Sequence, residues 1–424
     1  MGAAARDGRR RVVVTGLGPV SSIGVGAEAF HRALRAGASG AAPITGIDVR
    51  GFAHSTGCEV RGFEPAEHLT RLDHRAWGRA ATFAAVAARL AVCDAGLDMD
   101  ALRAARSVVA IGTTDGESRD LDDLVRQSVE HGPDGQDPAL ARRVSPVRLA
   151  VAAARELGLT DVETLTVCTA CAAGNHAIGC GLDAVRDGSA DLALCGGADA
   201  LCRKTFAGFY RLGTIAPELC RPFDLNREGI LTGEGAGVLV LEPLDAALRR
   251  GARIYAEVLG YGLNCDADHA VAPNEESVAR CMRLALDDAG VKPSEVDLVS
   301  AHGTGTRAND VTESRAIRRV HGELPPRTVS VKSMIGHTMG AAGALASAAC
   351  ALALRHGFVP PTINHREPDP ECAIDCVPNQ ALSVRPRVVQ NDALAFGGAN
   401  CVVVFGRGDE TAAPAAVPAL GAAR

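Results

Sequence analysis

Short runs of β-branched and aliphatic residues alternate with longer amphipathic segments along the first part of this chain. Period-two or continuous apolar runs favour strands, and apolar residues three or four apart favour helices. Strands are therefore predicted at 11–24, 107–112, 191–197 and 234–241, and in the run that starts at Leu165. Helices are predicted at 27–36, 75–95, 147–157 and 243–250, and from Cys171 onward. Residues 115–145 read as an acidic excursion, and 203–227 as a loop-rich insertion.

The pattern begins afresh at Arg253. Strands are predicted at 253–262, 296–300 and 328–331, helices at 275–290 and 340–356, and a closing strand that ends at Phe405. Strands that alternate with helices indicate a layered α/β architecture. Two similar halves suggest an internal duplication. We therefore divide the chain into an N-terminal arm (1–10), two halves (11–250 and 251–408) and a tail expected to be disordered (409–424).

Composition narrows the class of protein. The 424 residues are 47% hydrophobic and 22% charged, and the net charge of -6 disfavours a nucleic-acid partner, which would require a basic surface. No apolar run approaches the ~20 residues of a membrane span, and no apolar signal core opens the chain. The 14 cysteines form neither an even framework nor a set at metal-ligand spacing. We expect a soluble, cytoplasmic protein without a metal site and with reduced thiols.

Cys171 lies where a predicted buried strand runs into a helix rich in small residues. Unpaired backbone N–H groups and the positive end of the helix dipole at that place favour a thiolate, and hence a nucleophile. A free cysteine is, however, more often a core residue. A redox pair with Cys168, in a single C-x-x-C, is a further alternative.

His302 and His337 each follow a predicted strand and precede glycines, as a ligand-binding loop does. A helix start opposes positive charge, so His337 should stay neutral and donate an N–H. Because polar groups at neighbouring strand ends converge on one cleft, the three residues predict acyl transfer to a thiol followed by carbanion chemistry. The segment Gly235-Ala-Gly237 is too short to indicate a dinucleotide-binding site.

Four blocks carry a family resemblance: Thr169-Ala-Cys-Ala-Ala-Gly174, His302-Gly-Thr-Gly-Thr306, Lys332-Ser-Met-Ile-Gly-His-Thr-Met-Gly-Ala-Ala-Gly343 and Phe396-Gly-Gly-Ala-Asn400. Together they resemble the β-ketoacyl-acyl-carrier-protein synthases, over residues 11–406. The resemblance implies the thiolase fold, a duplicated five-layered αβαβα arrangement. It also implies a homodimer or a heterodimer with a related ketosynthase-like subunit, an acyl carrier protein as partner, and no cofactor other than the 4′-phosphopantetheine that arrives on that carrier.

The resemblance also implies roles. Cys171 would take the acyl chain, and His302 and His337 would assist decarboxylation of malonyl-carrier protein and stabilise the enolate. The N–H groups of Cys171 and Phe396 would form the oxyanion hole, with Phe396 also acting as a gate. Lys332 and Glu313 would form a supporting charge pair. The residues expected to bind substrate are Thr304 and Thr306, which would hold the pantetheine arm, together with Asp115, Phe206, Gly397 and Gly398.

Asp115 stands where the family usually has an apolar residue at the floor of the acyl pocket, and a bare carboxylate there would be costly. This favours a short, polar or otherwise unusual acyl substrate. Two other functions stay open: a non-catalytic chain-length-factor-like partner subunit, and a degradative thiolase that uses Cys401 as a second reactive thiol.

Overall fold

The computed structural model describes residues 9–408, so most of the predicted arm and all of the predicted tail lie outside the described residues. The strands are β1 (Val12–Ser21), β2 (Gly24–Val25), β3 (Ala42–Pro43), β4 (Thr56–Gly57), β5 (Ser107–Gly112), β6 (Val162–Val167), β7 (Leu192–Asp199), β8 (Gly235–Pro243), β9 (Ala256–Cys265), β10 (Leu298–Ser300), β11 (Arg327–Val329), β12 (Val388–Leu394) and β13 (Ala399–Gly406).

The helices are α1 (Ala27–Ala36), α2 (Arg79–Ala95), α3 (Met99–Ala104), α4 (Ser118–His131), α5 (Pro138–Ala141), α6 (Arg148–Leu157), α7 (Ala173–Asp187), α8 (Arg203–Arg211), α9 (Leu244–Arg249), α10 (Glu275–Ala289), α11 (Arg307–His321), α12 (Lys332–Ile335) and α13 (Ala342–His356). Within residues 9–408, none of them is both long and apolar enough to cross a lipid bilayer.

The two halves of the chain build the same sheet twice. The first half orders its strands β1-β8-β7-β5-β6, and the second orders them β9-β13-β12-β10-β11. When these five strands of each half are counted in chain order, both halves have the same spatial order: first, fifth, fourth, second, third. The three strands at the outer end of each half-sheet, β7-β5-β6 and β12-β10-β11, are parallel to one another. Antiparallel pairing of β1 with β9 at Val12, Val13 and Val14 joins the halves.

Helices cover both sides of each half-sheet. α2 and α6 pack outside the first half, α10 packs outside the second with α11 against it, and α7 and α13 lie between the halves. The succession is helix, sheet, helix, sheet, helix. α13 is buried along nearly its whole length, which its almost uninterrupted run of Ala and Leu allows. Gly174 permits the close approach of α7 and α13, because a Cβ there would lie 2.7 Å from the carbonyl oxygen of Gly340.

Most of the predicted elements are confirmed, among them α1 at its predicted bounds. Several others were missed, including α4, α8 and β12. α4 lies in the predicted excursion, where mostly polar residues surround a stripe of Leu121, Val125 and Val129. α8 opens the insertion at 203–227. β12 was not predicted because Gln390, Asn391 and Asp392 are polar although they are buried, and they interrupt the apolar run expected of a central strand.

Candidate active site

Cys171 lies in a tight turn between β6 and α7. A single 3₁₀ turn, Ala170–Ala172, connects the two elements, and Ala170 takes the left-handed backbone conformation (φ 46°). Such a conformation is uncommon for alanine and marks a constrained position. The thiol is presented at the helix start and is only 4% exposed.

The expectation of a resting thiolate is wrong. Complete burial raises the pKa of the Cys171 thiol to about 12, although the nearby charge of Lys332 acts in the opposite direction. Desolvation disfavours the charged form, and here it outweighs the helix start. At neutral pH this pKa favours the protonated thiol over the thiolate.

Cys171, His302 and His337 line one cavity, as the strand-end argument predicts. The cavity encloses about 90 Å³. The other lining residues are Phe209, Thr214, Ile230, Val271, Pro273, Thr304, Thr306, Ala308, Asn309, Leu394, Ala395 and Phe396.

Both imidazoles present an N–H group rather than a lone pair to the cavity. The Nδ1 atom of His337 accepts the backbone N–H of Met339 at 3.2 Å, which assigns the proton to Nε2. The ammonium of Lys332 lies 3.4 Å from Nδ1 of His302, which assigns the same tautomer there. Burial, and then the charge of Lys332, hold the pKa of both histidines well below the usual value. The rings stand edge to face with centroids 5.3 Å apart.

Lys332 and Glu313 support His302 through its backbone. The Nζ atom of Lys332 donates to the carbonyl of His302 at 2.6 Å, while Glu313 accepts the N–H groups of His302 and Gly303 at 2.6 and 2.8 Å. Each fixes one side of the His302 peptide. The two charges also act on each other, because Glu313 raises the pKa of Lys332 and Lys332 lowers that of Glu313. The predicted role of the two as a supporting charge pair stays a prediction. Burial raises the pKa of Glu313 and lowers that of Lys332.

Two phenylalanines stand over the cavity. The rings of Phe396 and Phe209 have centroids 5.3 Å apart, and Phe396 is 38% exposed. Gly397 and Gly398 do not line the cavity; they form the left-handed turn (φ 82° and 81°) that follows Phe396. Such a turn suits glycine.

Phe206 does not line the cavity, and Phe209 does. Phe206 is buried with Ile44 and Ile215 and packs edge-on against Phe52 at 5.1 Å. Both aromatic residues lie on one face of α8, which the sequence pattern did not resolve as a helix, and Phe209 also packs against the cluster that contains Phe206.

Thr304 and Thr306 face the cavity as expected. Their hydroxyl oxygens lie 2.9 Å apart, and Thr306 also accepts the N–H of Asn309 at the start of α11. The pair therefore offers a fixed hydroxyl group on the loop that carries His302.

Asp115 is not a bare carboxylate, and it does not line the cavity around Cys171. Its Oδ1 atom accepts the hydroxyl of Thr205 at 2.5 Å and lies 2.9 Å from the ammonium of Lys204. The predicted energetic conflict with an apolar floor is thus removed by pairing. The neighbouring carboxylate, Asp199, is fully buried and was missed, because a single acidic residue at the end of β7 has no motif around it.

The other readings of the cysteines and glycines find little support. Cys168 is exposed whereas Cys171 is buried, and both are free thiols. Cys401 is fully buried in β13, outside the cavity. Gly235 and Gly237 lie within β8 and pair along the sheet, so they form no nucleotide-binding turn.

Comparisons with known proteins agree with this geometry. The family description "Beta-ketoacyl synthase, N-terminal domain" matches residues 9–247, and "Beta-ketoacyl synthase, C-terminal domain" matches residues 255–366. The chain belongs to the β-ketoacyl synthase family. The resemblance of the four motif blocks is thereby confirmed.

Relatives of this synthase match over almost their whole length. It is 37% identical to 3-oxoacyl-(acyl-carrier-protein) synthase 2 of Synechocystis sp., covering 94% of this chain and 98% of that protein. It is 38% identical to nodulation protein E of Rhizobium sp., covering 93% and 99%.

Solved structures confirm the thiolase fold of the synthase. The ishigamide ketosynthase/chain length factor superposes with a TM-score of 0.93 at 57% identity, covering 95% of this chain and 100% of that chain. A type II polyketide ketosynthase, solved in complex with its acyl-carrier protein and bound to the hexaketide, superposes with a TM-score of 0.87 at 33% identity, covering 95% and 100%.

Proposed function

We propose that this synthase catalyses the decarboxylative Claisen condensation of an acyl group carried on Cys171 with malonyl-acyl-carrier protein. The observation that carries the proposal is one small cavity that contains a thiol and two imidazole N–H donors. A nucleophile with two preorganised donors suits the formation of a thioester followed by stabilisation of an enolate. The product would be a β-ketoacyl-acyl-carrier protein.

In the first half-reaction the sulfur of Cys171 attacks the thioester carbonyl of acyl-carrier protein. The thioester oxygen becomes an oxyanion that the N–H groups of Cys171 and Phe396 would bind. Collapse releases the carrier's thiol, which leaves with the proton of Cys171. Because the raised pKa of Cys171 favours the protonated thiol, the sulfur has to lose its proton during this step.

In the second half-reaction malonyl-carrier protein loses carbon dioxide. The electron pair of the broken C–C bond becomes an enolate, whose oxygen accepts the two N–H groups of His302 and His337. The enolate carbon then attacks the acyl thioester on Cys171, and the thiolate that is expelled takes a proton from solvent. Neutral imidazoles serve here because they donate without first losing a proton.

The substrates would arrive on 4′-phosphopantetheine, and we propose no cofactor beyond it. Thr304 and Thr306 would hold the arm's amide groups, a role that is supported by their position in the lining of the cavity. We assign the reaction to fatty acid or type II polyketide synthesis in the cytoplasm.

We further propose that the enzyme is a dimer, either of two copies or with a related ketosynthase-like subunit. β6 ends the first half-sheet and is partly exposed along most of its length. On α4, Leu121, Val125 and Val129 form a stripe of which 43%, 54% and 81% of each residue is exposed. An edge strand and an apolar helix stripe in one half are features that a subunit interface covers. The similar ishigamide protein is itself a ketosynthase/chain length factor.

Reconstitution tests the proposal. The purified chain, alone and mixed with a candidate partner subunit, would be incubated with acyl-carrier proteins of graded chain length and with malonyl-carrier protein. Intact-protein mass spectrometry would follow both Cys171 and the carrier. We expect acyl-Cys171 and a carrier mass that corresponds to the β-ketoacyl product. Product that persists in Cys171→Ala would refute the mechanism.

The same experiment decides between this function and the alternative of a non-catalytic partner subunit. A chain that is never acylated, but that raises the product yield of another ketosynthase, would be the partner subunit. Retention of Cys171 with both histidines favours the catalytic subunit.

A further inference from the structure

Asp199, the last residue of β7, uses both carboxylate oxygens to bind four donors. Oδ1 accepts the hydroxyl of Thr113 at 2.5 Å and the N–H of Asp115 at 3.0 Å. Oδ2 accepts the N–H of Thr114 at 2.8 Å and the N–H of Gly340 at 2.6 Å. Three donors belong to the loop after β5 in the first half, and the fourth belongs to the second half. The side chain therefore joins the two halves at the level of the active site.

The donor from the second half, the N–H of Gly340, lies in a turn that repeats the turn around Cys171. The segment Thr338-Met-Gly-Ala-Ala-Gly343 matches Thr169-Ala-Cys-Ala-Ala-Gly174 in sequence. Both form a single 3₁₀ turn before a central helix, and both have a left-handed residue in it, Met339 at φ 51° and Ala170 at φ 46°. Gly340 is thus the counterpart of Cys171, and Asp199 binds the counterpart of the N–H assigned to the oxyanion hole.

We propose that Asp199 is a positioning residue for His337, acting as a built-in anion that occupies the second half's copy of the oxyanion hole. This inference rests on the proposed condensation. His337 lies three residues before Gly340, and its Nδ1 is held by the N–H of Met339 in the same turn. Fixing the amide of Gly340 therefore fixes the turn that orients the imidazole. The carboxylate does not touch substrate.

Among the groups around Asp199, only the hydrogen-bond donors favour its ionised form. Burial raises the pKa of Asp199, the charge of Asp115 raises it further, and the bonds from Thr113, Thr114 and Asp115 lower it. Lys204 lies on the other side of Asp115 and compensates that second charge. An amide in place of the carboxylate would turn an NH₂ group toward an N–H or hydroxyl donor, which removes at least one bond and leaves a buried donor unpaired.

Asp199→Asn tests the proposal, and Glu156→Gln is the matched control. Glu156 is also fully buried and accepts four donors, from Thr70, Arg71 and Leu72, but in the outer layer away from the cavity. Two rates would be measured separately: transfer of the acyl group to Cys171, and release of carbon dioxide from malonyl-carrier protein. Thermal unfolding would be measured for both variants.

We expect Asp199→Asn to slow decarboxylation about 10–100-fold, because misplacement by an ångström costs that much, while acylation of Cys171 changes less than threefold. Glu156→Gln should lower the unfolding temperature without changing the ratio of the two rates. Equal slowing of both steps in Asp199→Asn, or an unchanged ratio, would overturn the proposal. A wild-type enzyme that does neither step would instead refute the proposed function.

A second measurement covers the case in which Asp199→Asn does not fold. Amide hydrogen exchange of the wild-type protein reports directly on the N–H of Gly340. The proposal requires exchange as slow as that of the buried residues of α13. Fast exchange at Gly340 beside a protected α13 would show that the carboxylate does not hold this turn.

Discussion

The turn at Cys171 and the turn at Gly340 share a backbone and differ in what their amides bind. Each follows a strand of its half and opens a helix of the central layer, and each contains one left-handed residue. In the first turn Cys171 lines the cavity. In the second the amide of Gly340 is bonded to Asp199. One copy is open to substrate and the other is closed by the protein.

This difference teaches why only one half carries a nucleophile. A Cβ at Gly340 would lie 2.5 Å from Cα of Thr113 and 2.7 Å from Oδ2 of Asp199, so the second turn has no room for a side chain. It contributes His337 instead, at the position that Cys168 holds in the first turn. The duplicated scaffold thus supplies a nucleophile from one copy and an N–H donor from the other.

The largest effect is expected at the open turn. Cys171→Ala should abolish acyl transfer and lower condensation by about 10⁴-fold or more, because the covalent intermediate no longer forms. Cys168→Ala, three residues away and exposed, should stay within twofold of the wild type. Mass spectrometry of the acylated protein checks both. An acylated Cys171→Ala protein would place the nucleophile elsewhere.

The next effect concerns the donor in the closed copy. His337→Ala should slow decarboxylation of malonyl-carrier protein by about 10²–10³-fold, as loss of an oxyanion donor does. Transfer of the acyl group to Cys171 should change less than tenfold. His337→Gln, which keeps an N–H donor, should recover part of the rate. If His337→Ala decarboxylates as fast as the wild type, His337 is not the donor.

A smaller effect is expected from filling the closed turn. Gly340→Ala should lower the free energy of unfolding by about 2–3 kcal/mol, since the added methyl group overlaps backbone atoms and Asp199. Gly208→Ala is the control, because that glycine lies in α8 with open space at its Cβ. Urea unfolding followed by circular dichroism measures the difference. Equal stabilities of the two variants would contradict the crowding at Gly340.

The smallest effect is expected in the wild-type protein, as a change of Cys171 reactivity with pH. Because the pKa of Cys171 is raised to about 12, its thiolate fraction should rise tenfold with each pH unit across the neutral range. The rate of alkylation by iodoacetamide at Cys171, read by peptide mass spectrometry, should rise in the same way from pH 7 to pH 9. A rate that is already constant above pH 7 would indicate a thiolate stabilised by the helix start.

The grouping of Cys171, His302 and His337 could be predicted from the sequence because each lies in a glycine- or alanine-rich block that follows a strand, with the short helix α12 between the strand and His337. Strand ends converge in an α/β sheet whatever the details of packing, so Cys171, His302 and His337 needed no coordinates to be grouped. The duplication was visible in the alternation of elements, and the identical strand order of the halves is its structural form.

The remainder depended on tertiary contacts that a sequence pattern does not contain. The protonated state of Cys171 follows from its complete burial, a property of the neighbours and not of the helix start. The contact of the Lys332 ammonium with the His302 carbonyl depends on how the two segments pack, which their sequences do not show. β12 could not be predicted from the sequence because Asn391 is buried through hydrogen bonds to Asn175, Gly343 and Ser347, which lie in two other segments of the chain.

A crystal structure of the enzyme with an acyl group on Cys171 would test the contrast between the two turns most directly. The account predicts that the thioester oxygen accepts the N–H groups of Cys171 and Phe396, while Asp199 remains bonded to Gly340. A thioester oxygen that points away from the amide of Cys171, or a Gly340 amide released from Asp199, would contradict it.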